Sequence, residues 1–378
     1  MQIFNITIKL VILISILCLC LLPQNIQAQT DIITDQIPIN SYYATAKVTN
    51  VENQLIEEKV DDITHVSSEQ YITLKILNSK LKDQEFTIIN EITSNPVDLE
   101  LQKNDKIIVN IEEFTEQSNK IYIVGYYRLT GVISMVFLFF LLLIILAGKQ
   151  GLKTIISLLI SIILIFQILI PQILNGHNAI ILTLIISLLV TILTLTLIAG
   201  INKKALIAIL GTLTGLIIAI IISYVFAKLS YLNGLSTEEA RTLFYKFPNI
   251  NPHGIFLSGI IIAALGAVMD VAMSIASSLQ EIKDARPDIG LRKLFKSGIK
   301  VGRDIIGTMS NTLIFAYVGV SLPLLLLYQE YGDSFKIFVN LDFITDEIVR
   351  SIGGSIGLIA VIPMTSLFAA FLYSKTKK

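Results

Sequence analysis

The spacing of apolar and polar positions divides the chain into three zones. Near the N-terminus stands one short apolar run. From about residue 41 to 127, short β-rich runs alternate with polar turns. After Thr130 the alternation gives way to long apolar segments. Alternation with period two predicts half-buried strands. They are expected near Tyr42–Thr49, Gln70–Leu77, Glu85–Asn90, Lys106–Ile111 and Lys120–Tyr127, with turns at Asn95-Pro96 and Asn104-Asp105. Five short strands in so small a stretch predict an all-β domain over residues 30–127, an OB-like barrel or a sandwich.

The third zone carries about seven segments near or above the length of one bilayer crossing: Leu129–Ala147, Thr154–Leu174, Ala179–Ala199, Ala205–Ala227, Gly254–Leu279, Ile305–Tyr328 and Val349–Tyr373. In lipid the backbone must satisfy its own hydrogen bonds, so these segments are helices. The fold class that follows is an α-helical polytopic membrane domain over 129–373 behind a small β domain.

Composition agrees and adds limits. Hydrophobic residues make up 53% of the 378 residues, charged ones only 15%, and the mean hydropathy is +0.73. Net charge is zero and no basic run lies outside the membrane loops, so a nucleic-acid role has no footing. Cys18 and Cys20, the only cysteines, sit in the first apolar run. Lys9, the run Leu10–Leu22, Pro23 and a polar stretch holding Ala28 follow the order of a secretory signal, and the run is short of the ~20 residues a span needs. Cleavage after residues 1–28 would leave a mature chain without cysteine, and so without a disulfide framework or thiolate metal site. An uncleaved anchor is the alternative.

Such a signal places the β domain outside. Loops then expected in the cytoplasm hold Lys149 and Lys153, Lys203 and Lys204, and a basic run from Lys283 to Arg303, with Lys375, Lys377 and Lys378 in the tail 374–378. Outer loops hold chiefly Arg241, Lys246 and Lys336. This is the positive-inside pattern of a plasma-membrane protein whose C-terminus is cytoplasmic.

Chemistry concentrates in the fifth and sixth segments. Gly259, Ala263, Gly266, Asp270, Ser274, Ser277 and Glu281 recur every three or four residues and share one helix face. Asp304, Thr308 and Asn311, behind Arg303, form a matching stripe on the sixth. An intramembrane carboxylate is costly in lipid and is expected to face the bundle interior or a wet cavity. Gly259, Ala263 and Gly266 would permit close helix packing. Asp270, Ser274, Ser277, Thr308 and Asn311 are the candidate site for H⁺, Na⁺ or a small solute. Glu281, Arg303 and Asp304 would form a polar network on the cytoplasmic side. The competing reading makes the serines, Thr308 and Asn311 interhelical hydrogen-bond partners only.

The stretch Ala264–Glu281 closely resembles the signature of YibE/F-like membrane proteins. Tyr126-Tyr127-Arg128 and the segment from Gly302-Arg303-Asp304 to Asn311 are similar to it too. The resemblance spans roughly residues 105–373. It implies a bacterial multi-pass protein and puts Asp270, Ser274, Ser277, Glu281, Arg303, Asp304 and Asn311 among family-like positions; it implies no activity.

Three function classes remain. A permease or transport-associated protein would use the Asp270 site. A non-transport accessory or envelope-sensing protein would bind a partner through the β domain. An intramembrane enzyme has least support: no GxSxG, HExxH or P-loop pattern is present, so no catalytic residue, metal site or cofactor is expected. His65 has no partner at metal-ligand spacing and reads as a surface residue. Elsewhere, Ser236-Thr237-Glu238-Glu239 reads as a capping box opening a short outer helix, and Gly353, Gly354, Ser355 and Gly357 as a second small-residue face.

Overall fold

The structure is a computed structural model describing residues 40–374, apart from 61–62, 93–94, 96, 115–118 and 332–333; the side chains of 55–60, 63–67, 329–331 and 374 are also left out. The expected signal, the lysine tail and the side chain of His65 therefore lie outside what is described. Two compact units form, with the division at Leu142–Leu143.

All five expected strands are present. They are β1 (Asn40–Val60), β2 (Ile63–Ile76), β3 (Glu85–Ile92), β4 (Lys106–Glu113) and β5 (Lys120–Tyr126). They make one antiparallel sheet in the order β3-β2-β1-β4-β5. The sheet curls into a half-barrel. It is neither closed nor a sandwich, because the edge strands β3 and β5 do not pair and no second sheet lies against it among the described residues. Alternation works as predicted: Ala44, Ala46, Val48, Ile72, Leu74, Ile76, Ile107, Val109 and Ile111 point inward and are buried. Each fully buried Ile, Leu or Val contributes about 1.5–3 kcal/mol. Asn104 takes φ 78° in the turn before β4, where the Asp105 carboxylate accepts from Gln102 N–H at 2.8 Å. β1 and β2 run past the sheet as a long hairpin, an extension that charged residues such as Glu57 and Glu58 conceal from a search for alternation.

The helical region comprises α1 (Leu129–Leu164), a π turn (Ile165–Leu169), α2 (Ile170–Leu174), α3 (Ala179–Ala199), α4 (Lys203–Leu229), α5 (Glu238–Lys246), α6 (Pro252–Ala285), α7 (Leu291–Val320), α8 (Leu322–Tyr331), α9 (Phe335–Val339) and α10 (Asp342–Ser374). Three helices start at an asparagine whose side chain accepts from backbone N–H groups of the first turn: Asn178 for α3, Asn202 for α4 and Asn251 for α6. Five helices are long and apolar enough to cross a membrane, or six if the bent pair α7–α8 counts as one. The first two expected segments run together as Leu129–Leu174, broken at Gly148, whose φ of 55° and ψ of −129° belong to no helix. The sixth bends by 66° between α7 and α8, where Pro323 has no N–H to continue the ladder. Ahead of Pro171, likewise, the helix widens into the π turn.

The tightest seam joins α4 and α10. Gly211, Gly215, Ala219 and Ser223 recur every fourth residue on α4, and Gly353, Gly357, Val361 and Thr365 do so on α10. The pairs Gly211–Thr365, Gly215–Val361, Ala219–Gly357 and Ser223–Gly353 meet closely: a Cβ on Gly211, Gly353 or Gly357 would overlap its partner, and one on Gly215 would press on Val361. With no hydrophobic gain from leaving lipid, such small-residue contacts are what hold membrane helices together.

Candidate functional site

The stripe predicted on the fifth segment forms on α6 but turns away from the core. Asp270, Ala263, Gly266, Ser274 and Glu281 are exposed, while Gly259 and Ser277 are half-buried. No Asp270 hydrogen bond or ion pair occurs among the described residues, and a Cβ on Gly266 would meet nothing within 4 Å. On α7, Arg303, Asp304, Thr308 and Asn311 are exposed too, and Thr308 Oγ1 only donates to its own helix, to Ile305 O at 3.1 Å. The two stripes are not brought into hydrogen-bond contact, and Arg303, Asp304 and Glu281 form no ion pair among the described residues. Within one chain Asp270 is not enclosed, and the reason is packing. The opposite face of α6, with Ile261, Ala264, Val268, Val271, Ala272 and Ile275, is the one that fills the core.

Buried charge gathers elsewhere, at the start of α10. Asp346 is only 5% exposed. Its Oδ2 accepts a hydrogen bond from Ser236 Oγ in the loop before α5. Ser236 therefore does not cap α5: Thr237 does, its Oγ1 accepting from Ala240 N–H at 3.3 Å. One turn along α10, Arg350 Nε lies 3.5 Å from Glu347 Oε2, both side chains being largely covered. The same guanidinium sits 5.2 Å from the centre of the Phe256 ring on α6. Its Nη1 approaches within 2.9 Å of where a Cβ on Gly259 would stand, so a side chain there would push the guanidinium aside. Tyr317, from α7, brings a buried Oη that finds no hydrogen-bond partner among the described residues, 3.8 Å from the Cβ position of Gly354.

Asp346, Glu347 and Arg350 occupy positions i, i+1 and i+4, so the cation can reach both acids. Two carboxyl groups thus share one guanidinium at this end of α10. Among the described residues no cluster has the composition of a metal site. Apolar patterning does not single out this group, since the expected last segment starts at Val349, after both acids. Only the fold adds Ser236, Phe256, Gly259 and Tyr317, from three distant parts of the chain.

Two family models match. One, described as YibE/F-like protein, covers residues 135–375; the other, the YibE/F family N-terminal domain, covers residues 41–126. The chain belongs to the YibE/F family. The boundary between the two matches falls where the half-barrel gives way to the helices. This YibE/F-family chain is thus a membrane protein with several transmembrane helices and an N-terminal half-barrel. No curated protein and no solved structure matches it.

Proposed function

We propose that this YibE/F-family protein is a plasma-membrane permease, or the membrane part of one, that moves a small solute with H⁺ or Na⁺. The observation that carries this reading is the buried Asp346, hydrogen-bonded to Ser236 and next to the Glu347–Arg350 pair. Acids held inside a membrane bundle are costly, and proton and ion pathways use them. Here the arginine can shift between two carboxylates as one of them takes up or releases a cation. We do not place the carrier site at Asp270, since that carboxylate is not enclosed.

The topology proposed with it has a cleaved signal, an exported β domain, seven crossings and a cytoplasmic C-terminus. The 46 residues of Leu129–Leu174 would extend about 69 Å as one helix, more than twice the ~30 Å hydrocarbon core. A turn at Gly148 makes two crossings of them. α6 and α10 then both begin on the outer side.

Proteoliposomes holding the full chain and a pH- or Na⁺-sensitive dye test the reading. We expect cation flux under an imposed gradient, lost in Asp346→Asn and kept in Asp270→Asn. Flux that Asp346→Asn leaves intact, or no flux for either ion, overturns it.

A second reading, an accessory or sensing protein, has its own observation. Tyr43 and Tyr122 stand in one cross-strand row, through Asn110, on the outer face of the half-barrel. Tyr43 is 71%, Tyr122 48% and nearby Val124 52% exposed. An apolar patch on an exported domain suits a protein partner. Recovery of a stable partner with the wild-type chain, lost in Tyr43→Ser/Tyr122→Ser, would favour it.

A further inference from the structure

The open stripes of α6 and α7 pose a problem that one chain does not solve. Asp270 lies well inside Pro252–Ala285, a helix apolar enough to cross the membrane. A carboxylate left against acyl chains there is costly even on insertion scales. Around it the surface is unusually shallow: Ala263 and Gly266 on α6, Gly307 on α7. A Cβ on either glycine would meet nothing within 4 Å.

Depth on the hairpin can be read from a contact. Gly298 on α7 packs against Leu279 on α6. Nine residues on along α7 and nine back along α6, Gly307 lies level with Asp270. By the same counting Asn311 lies level with Gly266, and Arg303 with Ser274. One open surface therefore holds an acceptor, Asp270, and donors Ser274, Asn311 and Arg303 within about one turn of its depth.

We propose that this surface is the interface between two copies of the chain, related by a two-fold axis along the membrane normal. Such an axis keeps every residue at its own depth. Asp270 of one copy therefore meets the donors of the other, and the reverse holds at the symmetry mate. Small residues on both helices let the backbones approach closely enough for those hydrogen bonds. Lipid offers Asp270 no donor. The chain's own apolar stretch 129–147 offers it mostly bulky Phe, Leu and Ile, its only hydroxyls, Thr130 and Ser134, lying near one end.

The test uses the full chain with Cys18 and Cys20 replaced by alanine, in lipid vesicles, carrying one new cysteine. Gly266→Cys and Gly307→Cys add a side chain into open space, so folding is preserved. Oxidation should give covalent dimers with either, and none with Ile221→Cys on the exposed side of α4. Asp270→Leu should weaken self-association roughly tenfold by fluorescence transfer between labelled copies, the loss of one interhelical hydrogen bond from each of the two copies. A chain that stays monomeric in vesicles overturns the proposal. So does a separate Gly266→Cys/Phe139→Cys double variant that crosslinks only within one chain, or a dimer that Asp270→Leu leaves unchanged. Ion flux plays no part in these readouts, so the carrier reading stands or falls separately.

Discussion

At the scale of single residues, buried polar groups decide the most. Gln70 is 1% exposed and is the polar hub of the half-barrel. Its Oε1 accepts from Leu101 N–H at 2.9 Å and from Asn90 Nδ2 at 3.2 Å. Its Nε2 donates to Asn53 Oδ1 at 3.0 Å and to Leu101 O at 3.2 Å. Gln70→Ala leaves these groups unpaired and should cost about 1–3 kcal/mol. Faster amide exchange at Leu101 and Asn90 in the full-length protein would register it. Tyr126 Oη donates to Glu100 O at 2.5 Å. Burial, with Asp105 and Glu100 nearby, raises its pKa above the usual tyrosine value. The neutral form is the one the fold favours, so its contribution is complete below the ordinary value near 10 and fades as pH climbs through the raised one. Tyr126→Phe should remove that alkaline dependence and about 0.5–1.5 kcal/mol of hydrogen-bond stability, read from the sheet's circular dichroism. Asp346 is the third case. Its enclosure depends on Ser236, so Ser236→Ala should reduce any cation flux several-fold without unfolding the bundle, because Glu347 and Arg350 remain.

Among whole elements, close approach between helices outweighs apolar content. A Cβ on Gly357 would lie 2.6 Å from Ala219 Cβ and 3.1 Å from Gly215 O, whereas one on Gly266 would touch nothing. Gly357→Val should therefore destabilise the detergent-solubilised protein by about 1–3 kcal/mol through overpacking, while Gly266→Ala should be neutral in the monomer. Equal melting shifts for both would contradict the α4–α10 seam. The sequence showed small residues on both α6 and α10. It did not show which stripe was buried, because i, i+4 spacing describes a face and not its partner.

For the whole molecule, topology is the testable quantity. The chain's two cysteines lie in the first apolar run, so single-cysteine probes are clean in an alanine background. Asn233→Cys and Ser79→Cys should react with an impermeant maleimide on intact cells, and Ser297→Cys only after lysis. Labelling of Ser297→Cys from outside would reverse the proposed orientation.

Strand period, turn residues and apolar segment length are local properties, and they were enough to determine the two-part architecture, all five strands and the apolar segments, while the family was legible only in the motif Ala264–Glu281. Closure of the sheet, the break at Gly148 and the side of α6 that faces the core depend on what each element packs against. So does the gathering of Ser236, Phe256, Tyr317 and Asp346. A helix face is written in one segment, but its burial is settled by the neighbours that leave or fill the space beside it, and only the folded chain supplies those.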